Sequence, residues 1–269
     1  MNTIRNKFFS PLLFVLLGTT SLFAQNKYDF AQFFRETGWY YTQPLRWDAE
    51  DWYKFGFTSA ATGIAYIIEP RPKDVAFLQA PFYNSIPAVW GRRYGEPYIA
   101  ASILGAYAAY SVITGDKTTT KIAFELAQTL TYAGVVTTAL KQIIGRARPY
   151  TDEGKASFRP VTTNILDDAH HSLPSGHVTV AFAVSTVLSL NADPLWLKIL
   201  AYVPAFFTPF SRAYQGFHWI SDCALAAGIG YFTGKWVHDT HDRADQKSEE
   251  KSAIQVTSIY PFSVSVALK

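Results

Sequence analysis

The sequence predicts an all-α fold, a helical bundle of about six to seven helices with the candidate active site at one end. Three observations carry this. From residue 51 onward the chain is a series of helix-length apolar segments broken by Pro, Gly and charge. Small residues are frequent inside them, as in Ala100-Ala101-Ser102 and at Ala106, Ala108 and Ala109, which lets helices approach closely. A hydrophobic content of 49% over 269 residues excludes disorder for most of the chain and suffices for a real core.

Residues 1–24 have the layout of a secretory signal peptide: a basic start at Arg5 and Lys7, an apolar run from Phe8 to Phe23, then the small Ala24. Residues 25–50 are polar and aromatic without a period and read as an extended lead-in. Helices are expected near 52–69, 75–90, 97–115, 120–147, 177–192, 195–210 and 218–238, giving a helical domain over 51–238. Pro70 and Pro72 part the first two. Gly115-Asp116 closes the third, and Thr118 to Thr120 can cap the fourth. Asp193-Pro194 makes the corner between the fifth and sixth. Residues 149–173 form a long polar loop, a length usually functional or mobile. Residues 239–269 read as a charged tail whose last stretch, 253–268, alternates weakly through Val256, Ile259, Phe262, Val264 and Val266 and suggests a short strand.

Composition removes several function classes. The formal net charge is +3, and loss of Arg5 and Lys7 with the signal leaves a nearly neutral chain, so bulk charge does not make it a nucleic-acid binder. A single cysteine, Cys223, excludes an intramolecular disulfide and a thiolate metal cluster. His238 and His241 are spaced like a metal pair, but no third ligand is evident and no metal site is expected. Spanning a bilayer takes about 20 apolar residues. Pro97 to Gly115 is uncharged and just long enough; the other apolar runs are shorter between charges, and the mean hydropathy is +0.03. Hydropathy alone leaves a membrane-embedded and a soluble bundle equally open.

Three short segments carry chemistry. The first runs from Lys141 to Arg148-Pro149. Read as helix, Lys141 and Arg148 share one face, Arg146 points elsewhere, and Pro149 stops the helix. The second is Leu173-Pro174-Ser175-Gly176-His177, where Ser175 is a natural cap, Gly176 allows close backbone approach, and the helix start offers free N–H groups to an anion. The third runs from Ser211-Arg212 to His218 and Asp222. A carboxylate four residues on can hold the imidazole Nδ1–H and leave Nε2 free as a nucleophile. Each segment alone also reads as an ordinary basic helix end, a capped helix or a helical ion pair. Together they supply three permanent cations, a helix N-terminus, a hydroxyl and two histidines, a set suited to a phosphoryl group.

In order and in spacing these segments are KxxxxxxRP, PSGH and SRxxxxxHxxxD, and the chain resembles the type 2 phosphatidic acid phosphatase superfamily, which also contains bacterial non-specific acid phosphatases and vanadium haloperoxidases. The resemblance covers about residues 97–238. It implies that His218 attacks phosphorus to form a phosphohistidine, that Asp222 orients His218, and that His177 protonates the leaving oxygen and then activates water. It also implies that Lys141, Arg148, Ser175, Gly176 (through N–H) and Arg212 hold the phosphate oxygens without metal or cofactor. The expected substrate is a lipid-linked phosphate (phosphatidate, phosphatidylglycerol phosphate, undecaprenyl diphosphate or the lipid A class), met in the bacterial envelope by a membrane-associated enzyme facing the periplasm. A soluble periplasmic acid phosphatase is the alternative, and a vanadium haloperoxidase a more distant one. Lys155, Arg159, Asp167, Asp168, His170 and His171 in the 149–173 loop are candidates for selecting the leaving group.

Overall fold

The computed structural model describes residues 26–70, 84–161 and 167–258. The expected signal peptide, residues 75–83 of the second expected helix and the chain beyond 258 lie outside them. Among the described residues there are eight α-helices and no strand: α1 (Phe30–Tyr41), α2 (Ala49–Ile68), α3 (Ile86–Tyr94), α4 (Pro97–Thr114), α5 (Lys117–Ile144), α6 (Gly176–Leu190), α7 (Leu195–Tyr214) and α8 (Ile220–Ser258). The chain divides into two units. Tyr28–His238 is the bundle. In the other, Asn26 Nδ2 donates to the His241 carbonyl (2.8 Å) and to Asp245 (2.7 Å) in the C-terminal half of α8.

The bundle is built around α5 and α6. Ala100 of α4, Ile122 and Leu126 of α5, and Val184 and Val187 of α6 form one buried cluster; Val178 of α6 meets Cys223 and Ala226 of α8 in a second. Close approach is carried by glycine. A Cβ on Gly230 of α8 would stand 2.6 Å from the Thr179 carbonyl oxygen and 2.8 Å from the Ala183 nitrogen, both backbone atoms of α6. Gly230→Val therefore forces α8 away from α6, with an expected loss of about 1–3 kcal/mol, read as a lower thermal midpoint in detergent.

Four sequence expectations are corrected. The lead-in is not extended, since α1 is capped by Asp29, whose carboxylate accepts from Gln32 N. Its inner face mixes polar and aromatic groups: Gln32 and Glu36 are buried and bonded to each other (2.9 Å), with Gln128 of α5 donating to Glu36 (2.8 Å), and Phe33 and Tyr40 pack on Tyr132 of α5, while Phe30 is 85% and Phe34 71% exposed. The fourth helix starts earlier than expected, capped by Asp116, which accepts from Thr119 N at 2.7 Å. It also ends earlier, at Ile144, because Gly145 takes the left-handed conformation (φ 60°) that closes helices. Finally, residues 253–258 continue α8 as helix and do not begin a strand.

Candidate active site

The early end of α5 changes how the first motif works. Lys141 stays on the helix, but Arg146, Ala147 and Arg148 lie in an extended run past Gly145, with Arg146 bridged to Phe158. Arg148 is thus delivered by the loop, not by a shared helix face. Hydrogen bonds to backbone carbonyls tie the three motifs together at this end of the bundle. Ser172 N donates to the Arg146 carbonyl (3.0 Å), Ser175 N to that of Asp222 (3.2 Å), and the Trp219 indole Nε1 to that of Ala147 (2.8 Å).

Lys141, Arg148, Gly176, His177 and His218 line one cavity of about 380 Å³, together with Asp168, His171, Thr137, Thr138 and Gln142. Ser175, Arg212 and Asp222 are buried next to these groups without lining the cavity. Ser175 Oγ and Arg212 Nε carry no hydrogen-bond partner among the described residues. Buried polar atoms are rarely left so, and both belong to the set expected to grip phosphate. Arg212 lies under the Phe217 ring, 4.6 Å from its centre. Lys141 Nζ donates to the His171 carbonyl, and Arg148 pairs with Asp168 through its side chain and, at 2.7 Å, its carbonyl.

His218 sits in the turn between α7 and α8 and is buried. Its Nδ1 lies 2.8 Å from the Ser172 carbonyl oxygen and 3.6 Å from Asp222 Oδ2. A carbonyl can only accept, so Nδ1 carries the proton and Nε2 of the neutral ring holds a lone pair. Burial first, and then Lys141, Arg148, Arg212 and His177, hold the His218 pKa well below the usual histidine value. The nearer orienting group is therefore the Ser172 carbonyl. Asp222 acts at one remove: it accepts from the Ser172 hydroxyl, from Trp219 N (2.9 Å) and from Arg146 Nη1 (2.7 Å).

The sequence pattern of the PAP2 superfamily matches residues 122–245, a span holding all three motifs. Over that span the chain is similar to the PAP2 superfamily. Among curated relatives it is 36% identical over 94 residues to the lipid A 1-phosphatase of Porphyromonas gingivalis, covering 32% of this chain and 20% of that one. It is 28% identical over 110 residues to the lipid A 4'-phosphatase of Bacteroides thetaiotaomicron, covering 40% and 49%. The chain thus spans between a fifth and a half of the length of these relatives. The crystal structure of Aquifex aeolicus LpxE is similar at 18% identity and a TM-score of 0.45, over 62% of this chain and 93% of that one.

The PAP2 motifs do not name every group at the site. Arg146 does point away from Lys141, but into the interior, where it meets Asp222, Ser221 Oγ (2.7 Å) and Glu69 from the C-terminal end of α2. Glu96, at the start of α4, stands 3.3 Å from His177 Nε2. Both carboxylates sit beside prolines at helix ends, with no spacing that ties them to a motif. Of the loop candidates, Asp168 and His171 line the cavity. Lys155 instead donates to the Tyr66 carbonyl (2.7 Å), Arg159 pairs with Glu153, and His170 lies between Asp167 (2.9 Å) and Glu153 (3.0 Å). His238 is engaged by Glu125 at 3.3 Å.

Proposed function

We propose that this chain is a phosphatase that hydrolyses phosphomonoesters or diphosphates of membrane lipids through a phosphohistidine. The observation that carries the reading is a buried, neutral His218 whose free Nε2 shares a cavity with Lys141, Arg148, Gly176 N–H and His177. The cations and the N–H groups at the start of α6 would bind the phosphate oxygens and stabilise the charge that builds in the transition state. His218 Nε2 then attacks phosphorus while the bond to the leaving oxygen breaks, and His177 gives that oxygen its proton. In the second step His177 takes a proton from water, the oxygen attacks phosphorus, and the electron pair of the P–N bond returns to His218.

A lipid substrate is supported by where apolar surface lies. Of the described helices, α4 alone is both long and apolar enough to cross a membrane, and almost none of it is buried in the bundle. Trp52, Phe55, Phe57, Ile64 and Ile67 of α2 are exposed, as are Trp196, Ile199, Leu200 and Phe206 of α7. Outward faces of this kind suit a bilayer better than water. Within the lipid class, the names of the two relatives favour a lipid A phosphate; the enzyme would meet it in the bacterial envelope, its cavity facing the periplasm.

The test is phosphate release by the purified chain from a panel of lipid A, phosphatidate and isoprenyl diphosphate substrates beside a water-soluble ester. Faster turnover of a lipid substrate is expected. Preference for the soluble ester, with full extraction of the protein without detergent, would replace this reading by a soluble acid phosphatase. Activity is expected to survive EDTA and to be inhibited by vanadate, which mimics the five-coordinate phosphorus. A strict metal requirement would contradict the mechanism.

A further inference from the structure

The corner between α3 and α4 is pressed against the second histidine. A Cβ on Gly95 would stand 2.6 Å from the His177 carbonyl oxygen, 2.8 Å from His177 Cβ and 2.9 Å from Thr208 Cγ2, so only glycine lets the corner seat there. Tyr94 Oη, bonded to Ser185 Oγ at 2.9 Å, pins the same corner to α6. The next residue is Glu96, and its Oε1 reaches His177 Nε2 at 3.3 Å. The corner's backbone is fixed as well, with Glu96 N bonded to the Arg93 carbonyl at 3.0 Å. The carboxylate is therefore placed by built structure and not by a mobile loop.

His177 has a difficult task in this setting. As general acid it must carry a proton, yet Arg212 from α7 and Arg148 from the loop act on it, His218 faces it, and Lys141 of α5 lines the same cavity. Burial also disfavours its charged form; of the neighbours that act most strongly on it, Glu96 bears negative charge, while Asp168 and His171 of the loop line the same cavity, Asp168 paired with Arg148. We infer that Glu96 is a positioning residue for leaving-group protonation: its carboxylate keeps the proton on His177 Nε2 until the leaving oxygen takes it. In the second step the same carboxylate favours return of a proton from water to Nε2. No atom is transferred to Glu96. The inference rests on the proposed phosphatase reading and deepens it at one atom.

Leaving-group chemistry tests this. A good leaving group such as p-nitrophenolate departs without a proton, whereas a lipid alkoxide or sugar alkoxide needs one. Glu96→Gln is expected to lower kcat on a lipid phosphate by about tenfold or more and to leave p-nitrophenyl phosphate within about twofold. The descending limb of its kcat/KM profile on the lipid should move to lower pH, since His177 loses its proton more readily without the carboxylate. Glu96→Asp should recover part of the lipid activity. Equal losses on both substrates, or an unshifted profile, would overturn the inference and make Glu96 a packing residue. Glu96 is partly exposed and its side chain caps no backbone group, so the Gln variant should fold; Glu96→Asp serves if it does not. His218→Ala, assayed alongside, separates the two levels. If His218→Ala stays active, the phosphohistidine reading fails; if it is inactive and Glu96→Gln behaves as wild type, only the role of Glu96 fails.

Discussion

Replacing His218 by alanine is expected to cut phosphate release by roughly 10⁴-fold or more, since removing the nucleophile of a covalent mechanism leaves only binding and charge stabilisation. The fold should survive, because the ring makes a single hydrogen bond, to the Ser172 carbonyl. An unchanged thermal midpoint with lost turnover is the expected pair of results; retained turnover would end the phosphohistidine mechanism. The pH profile adds an independent check. Burial and four neighbouring groups, three of them permanent cations or lysine, hold the imidazole neutral well below its usual pKa. Attack requires the neutral ring, so kcat/KM should fall only as pH drops through that depressed value, far on the acid side of an ordinary histidine near 6.5. Arg148→Met removes one of the repelling charges. It should therefore shift this ascending limb to higher pH while also weakening phosphate binding.

The grouping of the candidate site residues is more legible in the sequence than the chain path. His218, His177, Lys141 and Arg148 meet in one cavity because each motif sits at a helix end, and helix ends are marked by Pro, Gly and capping residues. Helix α5 stops short of Pro149 because Gly145, four residues before it, is the actual breaker. Proline marks where a helix cannot continue, whereas a left-handed glycine marks where it does stop. Helix α1 is hidden in the sequence for a different reason. Periodicity arguments assume an apolar inner face, and α1 buries Gln32 and Glu36 while showing Phe30 and Phe34 outward. The groups behind His218 are hidden by distance along the chain: Glu69 and Arg146 are 77 residues apart, and Ser172 meets His218 through its backbone carbonyl, which no side-chain motif records.

Arg146→Met is expected to cost about 3–5 kcal/mol of stability, the largest structural effect of any single substitution considered. Arg146 is wholly buried, and its guanidinium is shared among four partners in different directions. Nε donates to the Lys155 carbonyl (3.1 Å), Nη1 to Ser221 Oγ and Asp222 Oδ1 (both 2.7 Å), and Nη2 to Glu69. The Tyr66 and Trp219 rings lie against it, each centred 5.1 Å away. Removing the cation leaves two buried carboxylates without their counter-ion, and burying an unpaired charge costs far more than the pair contributes. Lysine is no substitute, because a point charge with three donors cannot serve a planar fork of contacts, so Arg146→Lys should fall between wild type and Met. Glu69→Gln should be milder, since Asp222 remains to balance the arginine. Activity should follow stability in this series, because Asp222 holds the Ser172 hydroxyl and the Ser172 carbonyl holds His218. A drop in kcat for Arg146→Lys in protein that is still folded, with KM little changed, would show that the network sets the aim of the imidazole. Unfolding in detergent followed by tryptophan fluorescence reads the stability order directly, and a wild-type midpoint for Arg146→Met would refute the assignment.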